Sequence, residues 1–249
     1  MKMDFSSDDD MDDLQDKWDD MTIQDAKEGD GEDGLEYKYR VMSIDVGITN
    51  LGISISLHSH DWSSSEIVLV DLIDLARVKH KRVPKKKCSL YHTNHIVDRI
   101  EHFFQEWEPF FSQCEYILVE QQPIMGITSV EALIFQRYRD KTHLIHPTRM
   151  HKHFRISDLE YEQRKEKTVE IASRELKNDS ELMKSFNSHT RRHDIADSIC
   201  LQKYWSQCVK RRTFLADQKK KTNIDLFEQH RGMSMDDYFN TFKYKGPLT

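Results

Sequence analysis

Glycine is scarce in this chain, with 8 in 249 residues. Outside the turn around Gly47 and Gly52, no glycine-rich loop is present that would cradle the phosphates of a nucleotide. Cysteine is equally sparse. Cys88, Cys114, Cys200 and Cys208 are scattered, none in a C-x-x-C pair, so they read as reduced thiols of an intracellular protein rather than a disulfide framework. No apolar run approaches membrane-spanning length, and the acidic N-terminal stretch lacks the features of a signal peptide. No internal repeat is visible. What remains is 37% hydrophobic and 10% aromatic, enough for one domain with a sizeable core plus tails.

The net charge of −6 hides a division. Residues 1–36 hold 15 Asp and Glu against three Lys, a charge of −12, while residues 37–249 carry +6. The first segment is too poor in apolar residues to offset its ordering entropy and is expected to be disordered. A solubilising tail is its simplest role; a mimic of nucleic-acid charge that damps non-specific DNA contact is the alternative.

The folded part is organised around Arg40–Leu57, RVMSIDVGITNLGISISL. Val41–Ile44 reads as a buried strand ending at a lone carboxylate, Asp45. Gly47, Ile48, Thr49, Asn50 and Gly52 suit a turn. Ile53, Ile55 and Leu57 alternate with Ser54 and Ser56, as in a returning strand. An ionised Asp beside a buried strand requires a partner or a cation, and three more carboxylates are suitably placed. The strand Tyr116–Val119 also ends in an acid, Glu120. The segment Arg191–Trp205 reads as a helix on which Asp194 and Asp197, three apart, share a face. Ile195, Ala196, Ile199 and Cys200 supply the face that packs on a sheet. Four converging carboxylates repel one another unless cations intervene, and hard oxygen ligands around an open pocket suit Mg²⁺ or Mn²⁺.

The ordered set IDVGITNLG, ILVEQQP and RRHDIADS resembles the RuvC-like Holliday-junction resolvases of the ribonuclease-H-like superfamily, in particular those of poxviruses and other large DNA viruses. The fungal mitochondrial resolvases are similar in the first motif. YEQRKEKTVE, Tyr161–Glu170, resembles the basic helix before the last motif of the viral group. The resemblance spans about residues 40–206. It implies an α/β, ribonuclease-H-like fold with a mixed five-stranded sheet flanked by helices, its first three strands antiparallel. It also implies a magnesium-dependent endonuclease that resolves four-way DNA junctions during recombination. Asp45, Glu120, Asp194 and Asp197 would be both catalytic and metal-ligating, holding two Mg²⁺ that Mn²⁺ can replace, with Asp45 bridging the ions and Asp197 a direct ligand. The products would be 5′-phosphate and 3′-hydroxyl nicks. Two symmetric nicks imply a homodimer, in the host cytoplasm or nucleus or at a viral replication site, with no membrane partner. Two other readings stand beside this one. An actin-like or sugar-kinase ATPase also begins with a D-x-G-x-T stretch but needs a second glycine-rich loop. A non-catalytic junction binder would not need all four acids.

Around this frame, Ile67–Val70 reads as a third strand. Lys79–Lys87, KHKRVPKKK, reads as a basic loop broken at Pro84; Lys85, Lys86 and Lys87 are candidate DNA contacts, with a solvated loop or a nuclear-import signal as alternatives. Ile96, Ile100, Phe103, Phe104, Trp107 and Phe111 recur at helical spacing and are expected in the core rather than as a stacking platform for bases. A helix is expected over Val130–Arg139 with Ser129 as N-cap, then a short strand at Leu144–Ile145 closed by Pro147. His143, His146, His151 and His153 match no zinc signature, nor do Cys88, His92 and His95. In the next helix Tyr161, Lys165, Thr168, Val169, Ala172 and Leu176 mark one face. Arg164, Lys165, Lys167, Arg191 and Arg192 are candidate DNA contacts, or else simply balance nearby acids. The expected organisation is an acidic tail (1–36), a resolvase domain (37–208) and a basic C-terminal extension (209–249).

Overall fold

The structure is a computed structural model that describes residues 37–47, 49–75, 95–123 and 129–229. The acidic segment, the Lys79–Lys87 stretch, Cys88, His92 and the residues beyond 229 lie outside it. Five strands form one mixed sheet: β1 (Tyr37–Val46), β2 (Asn50–Ser59), β3 (Ser65–Asp74), β4 (Tyr116–Glu120) and β5 (Thr142–Ile145), in the order β3-β2-β1-β4-β5. The first three are antiparallel; β4 pairs parallel to β1, and β5 parallel to β4. Six helices are described: α1 (Ile96–Gln113), α2 (Ser129–Arg137), α3 (Pro147–His153), α4 (Tyr161–Glu175), α5 (Ser180–Ser188) and α6 (Arg192–Gln229). The fold is α/β and ribonuclease-H-like.

The period of two along a strand divides the sheet into two chemically different faces. Met42, Ile44 and Val46 of β1 join Leu51, Ile53 and Ile55 of β2 and Ile117 and Val119 of β4 under α1 and α2. There the aromatic side chains of α1, Phe103, Phe104, Trp107 and Phe111, are at most 2% exposed. They are core, as their spacing predicts. The opposite face carries Val41, Ser43, Asp45, Gly52, Ser54, Ser56, Leu118 and Glu120, and α6 crosses it. This face is small and polar, so a helix can approach closely. Its seam adds a hydrogen-bond network to the apolar contacts of Val41 and Leu118 with Cys200 and Leu201. Buried Gln202 of α6 donates from Nε2 to the Val41 carbonyl at 3.0 Å and to Ser56 Oγ, and accepts from Ser54 Oγ at 3.1 Å.

Several elements differ from the sequence reading. β2 begins at Asn50, and Gly52 lies inside it, paired with Asp45. Two helices were not anticipated. In α3, Pro147 follows an N-cap, His146, whose Nδ1 accepts from the Thr148 N–H at 3.2 Å; proline is preorganised for that first helical position. In α5, the Asp179 carboxylate accepts from the N–H groups of Glu181 and Leu182, each at 2.9 Å. Helix α2 begins at Ser129 and ends at Arg137. Helix α6 runs 38 residues, far beyond Trp205 and without a break at residues 208–209. No Gly or Pro interrupts it before Gln229, and Lys, Arg, Gln and Ala favour its propagation.

Candidate active site

Parallel pairing of β1 with β4 brings their carboxyl ends together. Ile44 pairs with Val119, so the next residues, Asp45 and Glu120, emerge side by side on the α6 face. Gln122 secures this edge: its Nε2 donates to the Val46 carbonyl at 3.0 Å, and its backbone N–H donates to Glu131 Oε2 at 2.6 Å. Gly52, across from Asp45 on β2, sets the position of α6. A Cβ there would lie 2.1 Å from the Asp194 carbonyl oxygen and 2.7 Å from the Ile195 nitrogen. Only glycine lets the first turn of α6 settle onto the strand, and that turn delivers Asp194 and, one turn deeper, Asp197. Ile195, Ala196 and Ile199 anchor it among Val70, Ala172, Leu176 and Phe186.

The four carboxylates therefore line a single cleft of about 260 Å³. Asp45, Asp194 and Asp197 are buried and Glu120 half-buried. Burial, followed by the charge of Glu120, a side-chain hydrogen bond with Glu120 and the charge of Asp197, pushes the Asp45 carboxyl well above the usual carboxylate range, with Lys165 opposing the shift. Burial also raises Glu120, with Asp197 and Asp194 adding to the shift and the Asp45 hydrogen bond and Lys165 opposing it. Lys165 Nζ lies 2.7 Å from Asp197 Oδ2 and 3.8 Å from Asp194 Oδ1. Burial works against the Lys165 ammonium, but Asp197 and Asp45 outweigh it and raise its pKa. Arg191 Nε donates to Asp194 Oδ2 at 2.8 Å, and His193 Nε2 stands 3.1 Å from Asp194 Oδ1. Among the described residues, no three carboxylate, His or Cys side chains are arranged as a ready shell for one ion. The Asp194 and Asp197 oxygens are instead engaged by cationic side chains. The chemistry of the set still suits hard divalent cations: oxygen donors only, four carboxyls facing Lys165 and Arg191, and two of them, Asp45 and Glu120, raised in pKa by burial.

Of the cationic candidates, Arg164, Lys165 and Arg191 line the cleft. Lys167 pairs with Glu170 at 2.6 Å and Arg192 donates to Asn187 at 3.1 Å, both outside it; Lys85, Lys86 and Lys87 fall outside the described residues. His151 also lines the cleft, where burial and Arg164 hold its pKa down. The other histidines have structural surroundings: His143 packs on Tyr116 and Trp205, and His153 meets Gln207 at 2.5 Å. The sequence reading missed the positioning roles of Gly52 and Gln202. A glycine inside a strand pattern was the available signal for the first; nothing local marks the second.

The family described as Poxvirus A22 protein matches residues 40–208, more than half of the chain. The chain belongs to the poxvirus A22 family. Among solved structures, this member of the A22 family is similar to the fowlpox virus resolvase in complex with its substrate Holliday junction DNA: 14% identity, TM-score 0.51, covering 68% of this chain and 98% of that one. It also matches the yeast mitochondrial Holliday junction resolvase (16% identity, 72% and 84% covered, TM-score 0.49) and RuvC of Thermus thermophilus (13%, 70% and 96%, TM-score 0.41). No curated protein sequence matches it. At such identities the fowlpox likeness speaks for the fold. The chemistry rests on the family and on the residues of this cleft.

Proposed function

We propose that this A22-family protein is a structure-specific DNA endonuclease that resolves four-way junctions by paired, metal-dependent nicks. The observation that carries this reading is the convergence of Asp45, Glu120, Asp194 and Asp197 from three separate elements into one cleft with a cationic rim. Asp45, Glu120 and Asp197, with Asp194 beside them, would hold divalent cations, Mg²⁺ by preference and two in number, with Mn²⁺ as a substitute. When bound, such ions activate a water and stabilise the leaving oxygen of a phosphodiester. The residues of this chain supply the rest. Asp45 and Glu120 would serve as ligands in their ionised form. Lys165 and Arg191, which pair with Asp197 and Asp194, stand where a scissile phosphate would be met, and Arg164 extends the positive rim. Water adds at phosphorus and the 3′ oxygen departs, leaving 5′-phosphate and 3′-hydroxyl ends.

Two symmetric nicks call for a homodimer. The resolvase domain comprises residues 37–208. No described helix is long and apolar enough to cross a membrane, and the protein would act in the cytoplasm or nucleus of the host cell, at a site of viral replication. Neither an ATPase nor a non-catalytic junction binder accounts for four carboxylates around one cleft. Cleavage of a mobile four-way junction beside linear duplex controls, with Mg²⁺ and with EDTA, tests the proposal. Paired nicks confined to the junction and abolished by EDTA are expected. Binding without nicking in Mg²⁺ or Mn²⁺, or equal cutting of linear duplex, would overturn it.

A further inference from the structure

Helix α6 begins at the carboxylates and continues past the family match, which ends at residue 208. Over its buried half it is held by the sheet and by α4. Every residue from Lys210 to Lys220 is exposed, and Phe214 and Leu215 are 59% and 54% exposed. Between Lys210 and Lys220 stand five basic residues, Lys210, Arg211, Arg212, Lys219 and Lys220, against one acid, Asp217. An uncovered helix of this length gains little stability from propensity alone, and here like charges crowd it further. Its charge calls for a polyanion. The chain as a whole is acidic, so this local concentration of positive charge runs against its overall composition.

We propose that the exposed, basic half of α6 binds the phosphate backbone of a duplex arm flanking the cleavage site. This deepens the nuclease reading and rests on it for the position of the branch point. At 1.5 Å per residue, Lys210–Lys220 lies about 20–35 Å along the axis from Asp197. Duplex rises about 3.4 Å per base pair, so the contact falls about 6–10 base pairs from the scissile phosphate. Residues spread around the helix serve such a partner, because phosphates of both strands face a helix laid across a groove.

The test substitutes all five basic residues by Gln in the full chain; Gln preserves helix propensity. Binding is measured by anisotropy in EDTA on four-way junctions with 5- and 15-base-pair arms, across a salt series. Expected is at least a tenfold loss of affinity for the long-armed junction at low salt, a log–log salt slope smaller by about 2–4, and little change with short arms. Replacing Lys210, Lys219 and Lys220 by Arg should retain wild-type affinity, and unchanged far-UV circular dichroism should show that helicity survives. Equal affinity and slope for wild type and the Gln variant on long arms would overturn the proposal. So would unchanged binding accompanied by expansion of the free Gln variant in low-salt X-ray scattering, which would make the acidic residues 1–36 the occupant. Loss of long-arm binding supports the contact even if the wild type proves unable to nick DNA, so the two readings fail separately.

Discussion

At the scale of single residues, the cleft is defined by carboxylates that are poorly solvated and close together. Asp45→Asn replaces one carboxyl of a mutually repelling set by an amide while keeping its shape. The variant is expected to lose about 10²–10³-fold in cleavage rate, the order seen when a key electrostatic group is removed, yet to bind junctions normally in EDTA and to keep or gain thermal stability; wild-type turnover at saturating Mg²⁺ would refute its role. Asp194 and Asp197 differ in their partners. Asp194 sits in the first turn of α6, where a carboxylate is favoured by the helix dipole, and is met by Arg191 and His193; Asp197 faces Lys165 one turn deeper. Asp197→Asn should therefore suppress cleavage more than Asp194→Asn at every Mn²⁺ concentration, and the reverse order would exchange their roles. Away from the cleft, buried His58 has Nε2 2.6 Å from Ser56 Oγ and an Nδ1 without a hydrogen-bond partner among the described residues. Burial lowers its pKa to about 4. As pH falls below 6.5 the unfolded chain takes up a proton that the folded one refuses. The stabilisation is thus fully present above pH 6.5 and is lost on descending to about pH 4. The total is about 3 kcal/mol at 1.36 kcal/mol per pH unit. Between pH 7 and 4 the unfolding free energy of wild type, from denaturant titrations, should fall by this amount more than that of His58→Phe; parallel curves would sink the assignment.

At the scale of elements, much of the architecture is legible as local pattern. Alternation in Ile53, Ile55 and Leu57, the helical spacing of the α1 aromatics and the acids closing β1 and β4 each encode an element and its buried face. The three-residue step from Asp194 to Asp197 encodes the convergence of both carboxylates. Contacts between distant elements are not legible in this way. Gln202 bonds Val41, Ser54 and Ser56 across about 150 residues of sequence, and no local propensity announces it. Lys165 and Arg191 are readable as basic residues, but the fold decides that they line the cleft while Lys167 and Arg192 pair elsewhere. Gly52 lies between these cases: within β2 it looks like an extension of the turn, whereas it serves as the seat for α6. Gly52→Ala places a methyl group inside the Asp194 carbonyl and must move helix or strand. Destabilisation by about 1–3 kcal/mol, typical of overpacking, is expected, together with a loss of cleavage out of proportion to the loss of fold, since Asp194 and Asp197 move with the helix. Wild-type cleavage with wild-type melting would show that this close approach does not set the site.

At the scale of the whole molecule, two charged segments flank the family match. Residues 1–36 carry −12, and the body with its basic helix carries +6. Such a division does little for the stability of the folded domain, because exposed charges more than a Debye length apart are largely screened. It matters for an encounter with DNA, whose binding by a basic surface is driven by counterion release. An acidic segment on the same chain would compete for that surface at an effective concentration set by the length of the connecting chain. Deleting residues 1–36 should therefore leave the domain that begins at Tyr37 folded and tighten binding to linear duplex more than to the junction, because non-specific contact is the more purely electrostatic of the two. The gain should be greatest near 50 mM salt and fade towards 300 mM as screening shortens the reach of each charge. Electrophoretic binding curves over that range measure it, with circular dichroism as a control on the fold. Affinity unchanged at the lowest salt would reduce the segment to a solubilising tail. Weaker binding after deletion would instead mean that residues 1–36 themselves contribute to the DNA contact, against the sign of their charge.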